Sequence, residues 1–185
     1  MRAAETTTTT DSHRAVFTIG HSTRPMTEFI DMLSGHGITT LIDVRTVPRS
    51  RHNPQYNRDT MPETLAPYGI GYEHVEGLGG FRRTHPDSTN TGWRNKSFRG
   101  YADYMQTQEF SENLLWVMAL ADQQRVVLMC AEAVPWRCHR SLIADALVVR
   151  GVTAEEILSP TRLQRHKLTP FARAQGSVIA YPPYQ

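Results

Sequence analysis

VVLMCAEAVPWRCHR, residues 126–140, is an apolar run that ends abruptly in reactive side chains. It holds both cysteines of the 185-residue chain, Cys130 and Cys138, together with Glu132, His139 and Arg140. Its apolar start is typical of a buried strand, and its last residues begin a segment with helical spacing. Reactive residues directly after a buried strand are typical of α/β proteins, whose sites lie at the carboxyl ends of parallel strands.

Similar apolar runs lie on either side of this stretch. The patterns predict strands at 16–20, 39–44, 71–75, 125–129 and 154–158. They predict helices at about 27–35, 62–68, 101–121 (broken near 108–111) and 138–150. Strands that alternate with helices predict a single α/β domain with a mainly parallel sheet of about five strands and helices on both faces. Right-handed crossovers then place the strand carboxyl ends, and with them the site, at one edge of the sheet.

The two ends of the chain differ in composition from the predicted domain. Residues 1–14 include five consecutive threonines and are predicted to be a disordered tail. Residues 15–159 form the predicted α/β domain. Residues 160–185 are interpreted as a basic C-terminal extension, because they contain four Arg or Lys residues and no Asp or Glu.

The net charge of +2 is unevenly distributed along the chain. Residues 81–97 are interpreted as a mobile loop. Residues 81–100 carry five basic residues and one acidic residue, so a second positive segment accompanies the C-terminal one. Localised positive charge favours an anionic partner such as a phosphate, a nucleotide or nucleic acid. Arginines that merely solvate loops give the same pattern, and this second interpretation is preferred for the C-terminal segment.

The sequence also indicates the cellular compartment of the protein. It has no apolar run long enough to span a membrane, and its first residues lack the apolar core of a signal peptide. We therefore expect a cytoplasmic protein with no membrane partner. Two cysteines in a reducing compartment do not form a disulfide framework.

Two carboxylates and one histidine at strand ends are predicted to be catalytic. Glu132 follows an apolar strand, so partial desolvation would suit it to general acid–base chemistry. A salt bridge from Glu132 to Arg45 or Arg140 is the alternative. Asp43 is either the second carboxylate of a hydrolytic pair or a cap for the next segment. His21 follows the first strand, where histidine is more often functional than on a helix face.

Three roles remain open for Cys130: a buried structural residue, a thiolate nucleophile and a metal ligand, in that order of preference. Arg137 is seven positions away, and Pro135 and Trp136 lie between them. This spacing differs from the tight Cys-to-Arg loops of thiol phosphatases and rhodaneses. The seven-residue gap before Cys138 is not a standard zinc spacing either, so Cys130, Cys138 and His139 are only weak metal candidates, and the sequence requires no cofactor.

Further residues near the strand ends are predicted to bind an anionic substrate. Arginine side chains hold carboxylates and phosphates in bidentate fashion, and the first turn of a helix offers free N–H groups. The predicted substrate-binding residues are Arg45, Arg49, Ser22, Ser50, Gly79, Gly80, His139 and Arg140.

Four motifs together resemble a known family. TIGHS (18–22), DVRTVPRS (43–50), GLGG (77–80) and MCAEAVPWRCHR (129–140) resemble the family called domain of unknown function 488, over roughly residues 16–158. The resemblance implies a compact α/β domain; because the family is named for the lack of an assigned reaction, it implies no particular activity. The family pattern highlights His21, Ser22, Asp43, Arg45, Pro48, Ser50, Gly79, Gly80, Cys130, Glu132, Cys138, His139 and Arg140.

The preferred functional hypothesis is an enzyme, a hydrolase or group transferase that acts on a phosphorylated or nucleotide-like small molecule through carboxylate acid–base chemistry. It rests on the convergence of unlike catalytic residue types at one sheet edge. Two alternatives remain open. One is a nucleic-acid-binding module that uses the 82–99 loop and the C-terminal tail. The other is a metal- or sulfur-handling protein that uses Cys130, Cys138, His139 and His21. The sequence does not indicate an oligomeric state.

Overall fold

Five parallel strands and one antiparallel strand form the main sheet. The structure, a computed structural model that describes residues 14–183, contains β1 (Ala15–Gly20), β2 (Thr40–Asp43), β3 (Gly71–His74), β4 (Val126–Cys130), β5 (Thr153–Ser159) and β6 (Arg162–Arg165). Their order is β3-β2-β4-β1-β5-β6, and β5 and β6 are antiparallel. The predicted fold class is confirmed. The prediction of a disordered tail at 1–14 falls, apart from Arg14, outside the described residues.

Helices cover both faces of this sheet. They are α1 (Met26–Gly35), α2 (Met61–Leu65), α3 (Lys96–Tyr104), α4 (Gln108–Ala121) and α5 (Arg140–Val149). The first two pack on one face and the other three on the opposite face. No helix between residues 14 and 183 has the length and hydropathy needed to cross a bilayer.

Strand β4 lies between β2 and β1 in the sheet, and it is buried on both faces. Val126, Leu128 and Cys130 contact the layer of α3, α4 and α5, whereas Val127 and Met129 contact the layer of α1 and α2. Side chains alternate between the two faces of a strand, so a strand covered on both sides must be apolar at every position. Complete burial of each Val, Leu or Met side chain contributes about 1.5–3 kcal/mol to the free energy of unfolding.

The break between α3 and α4 lies slightly before the predicted position. The sequence predicts it near 108–111, but α3 ends at Tyr104 and α4 begins at Gln108. The Thr107 side chain accepts a hydrogen bond from the N–H of Phe110, which caps the new helix. The α4 side chains that are buried follow the expected helical spacing: Phe110, Leu114, Val117 and Met118.

The C-terminal segment adds to the fold. After β6, the strands β7 (Arg173–Gln175) and β8 (Val178–Ala180) form a separate antiparallel hairpin. Tyr181 follows it and is fully buried, and its hydroxyl donates to Asp145 Oδ2 of α5 over 2.9 Å. The N–H of Tyr181 donates to Asn90 in the 81–97 loop. The hairpin therefore ties this loop to α5.

A glycine is required at the end of β1. A Cβ atom at Gly20 would lie 1.9 Å from the carbonyl oxygen of Glu132, which belongs to the loop after β4. Because that contact is with main chain, β1 and the loop would have to separate to admit any side chain.

We therefore expect Gly20→Ala to lower the free energy of unfolding by about 2 kcal/mol or more, measured by urea denaturation. Gly71→Ala is the matched control, because a Cβ at Gly71 would meet nothing closer than 3.8 Å. That variant should match the wild-type protein to within about 0.5 kcal/mol. Equal stability of the two variants would contradict the close approach at Gly20.

Candidate functional site

A cavity of about 470 Å³ lies at the carboxyl ends of the parallel strands. Residues that follow three different strands meet in its wall, as the strand order predicts: His21 after β1, Arg45 after β2 and Glu132 after β4. The site residues predicted from the sequence that line it are His21, Arg45, Arg49, Ser50, Gly80, Cys130, Glu132, Cys138 and His139. Four others do not line it: Ser22, Asp43, Gly79 and Arg140.

The sulfur of Cys130 is held by two donors at the base of this cavity. Arg140 Nη1 donates to Cys130 Sγ over 2.6 Å, and the Sγ atoms of Cys130 and Cys138 are 2.7 Å apart. Cys130 is 2 % exposed and Cys138 is 6 % exposed. Both side chains nevertheless face the cavity, so a small reagent that enters it meets sulfur.

The two cysteines differ in their protonation. Burial raises the pKa of Cys130, but the hydrogen bond from Cys138 and the charge of Arg140 outweigh it, and the pKa of Cys130 is lowered overall. The pKa of Cys138 is raised well above its usual range by its hydrogen bond to Cys130 and by burial. Cys130 is therefore the acceptor and the more acidic thiol, and Cys138 is the donor that keeps its proton.

Arg140 acts behind the sulfur and does not contact the cavity. Its side chain is fully buried, and Nη2 forms an ion pair with Glu156 Oε1 over 2.9 Å. Thr18 Oγ1 donates to the other oxygen of the same carboxylate. The remaining guanidinium donor, Nε, has no hydrogen-bond partner within the described residues.

Sequence reasoning missed Glu156. The signal was present, since Glu156 shares the inward face of a predicted strand with Ala154, where a charge needs a partner. The salt bridge considered between Glu132 and Arg140 is therefore replaced by one between Glu156 and Arg140.

The loop after Cys130 presents free N–H groups. The carbonyls of residues 130–133 all accept hydrogen bonds: Cys130 from His21 N, Ala131 from Ser22 N, and Glu132 and Ala133 from Arg140. The N–H groups of residues 131–133, by contrast, donate to no acceptor within residues 14–183. A loop whose carbonyls are all engaged on one side and whose N–H groups are free is suited to an anion.

Asp43 fixes Arg45. Its carboxylate is fully buried and accepts from Arg45 Nε over 2.9 Å, from Arg45 Nη2 over 2.6 Å and from the Tyr72 hydroxyl over 2.6 Å. Arg45 also donates to Tyr56 O and contacts His21 Nε2 at 3.2 Å, so four of its five N–H groups are engaged. Arg45 is thus a rigid cation in the cavity wall with one N–H left for a ligand.

His21 and His139 are both neutral. Their Nδ1–H and Nε2–H groups, respectively, donate to main-chain carbonyls: His21 to Ser22 O over 2.7 Å and His139 to Val44 O over 3.0 Å. Burial lowers the pKa of each to about 4. His21 also accepts from Arg45 at its other nitrogen and stacks on Tyr56, so it is not a free base.

The glycine and serine candidates shape the wall. A Cβ at Gly80 would lie 2.5 Å from His139 Nδ1, and one at Gly79 would lie 2.6 Å from Thr46 Oγ1. Ser50 Oγ accepts from Asn53 N, which orders the loop after β2. Ser22 has a φ of 51°, a left-handed conformation that is uncommon for serine and frequent at functional sites.

The mouth of the cavity combines cations with apolar side chains. Arg49 and Arg137 are exposed there, and Arg49 pairs with Asp59 over 3.0 Å. Phe81 and Val47 also line the mouth and are 81 % and 57 % exposed. Phe81 and Val47 were not predicted from the sequence, because each lies in irregular chain where no periodicity indicates the direction of its side chain.

No group of three or more His, Cys, Asp or Glu side chains within residues 14–183 is placed to hold a metal ion. The weak metal candidates Cys130, Cys138 and His139 instead bond to each other and to Arg140 and Val44.

Comparison with known families matches residues 25–147 to the domain of unknown function DUF488, a narrower span than the motifs indicated. No curated protein and no solved structure matches the chain. The matched segment runs from the residue before α1 into α5. It includes β2, β3, β4, the loop after β4 and both cysteines. Since it covers well over half of the sequence, the chain belongs to the DUF488 family.

Proposed function

We propose that this protein is a hydrolase or group transferase that acts on a phosphorylated or nucleotide-like anion with the Cys130 thiolate as its nucleophile. The observation that carries the proposal is the Arg140 guanidinium bonded to Cys130 Sγ at the base of a cavity. A buried cysteine with only a structural role needs no cationic donor. A nucleophilic one does, because the thiolate is the reactive form.

The surroundings of the sulfur support an anionic substrate. The free N–H groups of residues 131–133 lie in the segment directly after Cys130, and Arg45 holds one spare N–H in the same cavity. Arg49 and Arg137 add two cations at the mouth. These donors would hold the oxygens of a phosphoryl group while sulfur attacks phosphorus, since fixed dipoles and cations stabilise the charge that develops there.

Glu132 is the carboxylate suited to the proton transfers. It is half-buried, lines the cavity and accepts one hydrogen bond from Val134 N. In the first step an S–P bond forms, the P–O bond to the leaving group breaks, and Glu132 supplies the proton to the leaving oxygen. Water, or an acceptor hydroxyl in a transferase, then gives its proton to Glu132 and displaces the sulfur. Asp43 acts as a positioning residue, because its carboxylate is committed to Arg45 and Tyr72.

The apolar side chains at the mouth favour a substrate with a planar ring. Phe81 and Val47 are exposed on the cavity wall, and Phe98 lies beside them. Aromatic and apolar faces bind nucleobases by stacking. A phosphate at the loop after β4 and a base at this mouth would together fill a nucleotide site.

We expect a nucleoside monophosphate or sugar phosphate, in a panel that includes inorganic phosphate, to raise the melting temperature of the wild-type protein. Arg49→Ala and Arg137→Ala should each weaken binding by about tenfold, because each removes a hydrogen bond to a charged group. Cys130→Ser should keep the binding and lose turnover by on the order of 10³-fold or more.

Arg51→Ala is the matched control for this experiment. Arg51 is exposed two residues from Arg49 and does not line the cavity, so its replacement should leave ligand affinity unchanged. The proposal is wrong if no phosphorylated ligand stabilises the protein, or if Arg51→Ala weakens binding as much as Arg49→Ala.

The acidity of Cys130 should respond to Glu156. Its carboxylate raises the pKa of Cys130, against the lowering effects of Cys138 and Arg140. Glu156→Gln keeps a hydrogen-bond acceptor for Arg140 and removes the charge. The pH at which the iodoacetamide alkylation rate of Cys130 reaches half its maximum should therefore fall in this variant, because a lower pKa extends the thiolate to lower pH. In Glu155→Gln, which alters the neighbouring residue on the opposite face of β5, that pH should not move; an equal shift would refute the electrostatic account.

A second candidate function, nucleic-acid binding, is favoured by a basic cleft of about 520 Å³ next to the cavity. Arg82, Arg83, Lys96 and Arg99 line it without any acidic residue, and Ser97 lines both spaces. Arg82 and Arg99 are held by main-chain carbonyls, whereas the side chains of Arg83 and Lys96 have no partner within residues 14–183. Two anchored and two available cations suit a chain of phosphates.

This candidate predicts that single-stranded DNA binds with a steep salt dependence. The double variant Arg83→Ala/Lys96→Ala should reduce the slope of log affinity against log salt by roughly 1.4, about 0.7 for each phosphate that the protein no longer neutralises. The variant Arg94→Ala/Arg162→Ala removes the same charge outside the cleft and should leave the slope nearly unchanged. Equal slopes for the two double variants would argue against a nucleic-acid site in the cleft.

A further inference from the structure

Cys138 forms and breaks no covalent bond in the proposed transfer reaction, where it only donates a hydrogen bond to Cys130, yet its position is specific. Its Sγ lies 2.7 Å from Cys130 Sγ and 3.6 Å from His139 Nδ1, and both cysteines line the cavity. A disulfide bond requires about 2.05 Å between sulfurs, so the two atoms need to approach by well under 1 Å. Side-chain rotation alone can supply a shift of that size.

We propose that Cys130 and Cys138 form a reversible intramolecular disulfide when a small peroxide enters the cavity, with Cys130 as the residue oxidised first and Cys138 as the resolving thiol. The inference goes beyond the transfer reaction, because it concerns oxidation of the reactive sulfur itself. The two thiols are also unequal in the way such a pair requires, since the pKa of Cys130 is lowered and that of Cys138 is raised.

The chemistry balances with one peroxide. The Cys130 thiolate attacks one oxygen of hydrogen peroxide, an S–O bond forms, the O–O bond breaks, and the departing hydroxide takes a proton from solvent. Cys138 then attacks the sulfur of the Cys130 sulfenic acid. An S–S bond forms, the S–O bond breaks, and a second water leaves after protonation. Sulfur loses two electrons in total, and the peroxide is reduced to two waters.

His139 is placed to receive the proton of Cys138 in the second step. Its Nε2–H is committed to Val44 O, so Nδ1 carries a lone pair and points within 3.6 Å of Cys138 Sγ. Before oxidation, the Cys138 proton is donated to the Cys130 thiolate. Once Cys130 is a neutral sulfenic acid, that acceptor is lost and the nearby imidazole nitrogen takes its place.

The burial of the pair selects a small oxidant. With Cys130 2 % exposed and Cys138 6 % exposed, the sulfurs are reached only through the cavity. Hydrogen peroxide fits such a path, whereas the disulfide of another folded protein does not. Reduction back to the dithiol would accordingly need a small thiol.

The experiment is non-reducing peptide mapping of the full chain after brief treatment with hydrogen peroxide. Trypsin cleaves after Arg125, Arg137 and Arg140, so the two cysteines fall in the separate peptides 126–137 and 138–140. We expect these peptides to be recovered as one linked species that is two hydrogens lighter than their sum, and to separate after dithiothreitol. In Cys138→Ser, Cys130 should instead be trapped by dimedone as a sulfenic acid and should oxidise further on longer exposure.

Two comparisons make the result decisive. At pH 6, the folded protein should form the linked peptides faster than the same protein in guanidinium, because folding lowers the pKa of Cys130. Cys130→Ser should leave Cys138 unoxidised under the same treatment. Sulfinic acid at Cys130 without linked peptides in the wild type, or faster linkage in guanidinium, would overturn the proposal. The mapping needs no substrate, so its result is independent of whether any phosphorylated ligand is turned over.

Discussion

The site depends on one buried guanidinium, that of Arg140. It is fully buried and binds three groups from different parts of the fold: the sulfur of Cys130 at the end of β4, the carboxylate of Glu156 on β5 and the carbonyls of the loop after β4. A buried cation without such partners would cost several kcal/mol, so the loop, β5 and α5 must meet in this arrangement for the charge to be tolerated. Arg140 contributes both to the conformation of the loop, through its bonds to the carbonyls of Glu132 and Ala133, and to the lowered pKa of Cys130.

The order of the strands in the sheet places other residues around Cys130, and together they form the cavity. β4 lies between β2 and β1, so the residues after these two strands flank Cys130 from both sides. Arg45 and His21 are rigid because Asp43 and Tyr56 hold them, and the hydrogen bond between them leaves neither available as a mobile acid or base. In the proposed reaction, the groups that react are the sulfur of Cys130 and the carboxylate of Glu132, both of which line the cavity.

The sequence predicted the fold and the location of the site well, because both follow from local patterns. Apolar runs at β1, β2 and β4 identify buried strands, and topology brings their carboxyl ends together. It predicted the directions of individual side chains less well. The sequence predicts that Arg140 binds a ligand, but the direction of a side chain at a helix start depends on packing. Here Arg140 is buried and forms an ion pair with Glu156 on β5. The sequence favours a structural role for Cys130, and a separation of ten residues does not by itself indicate that Arg140 contacts its sulfur. Phe81 and Val47 lie in irregular loops, where no periodic pattern indicates the direction of a side chain.

The partnership of Cys130, Arg140 and Glu156 also has an electrostatic consequence. With the thiolate and the carboxylate ionised, two negative charges share one positive charge at the buried base of the cavity, so this ionised form carries a surplus negative charge. The Cys130–Cys138 disulfide would remove that surplus and leave a balanced Arg140–Glu156 pair. Glu156 opposes the free thiolate, but Cys138 and Arg140 outweigh it, since the pKa of Cys130 is lowered overall. A thiolate of lowered pKa is also a better leaving group, so in the proposed reaction the same contacts would assist release of the transferred group from sulfur.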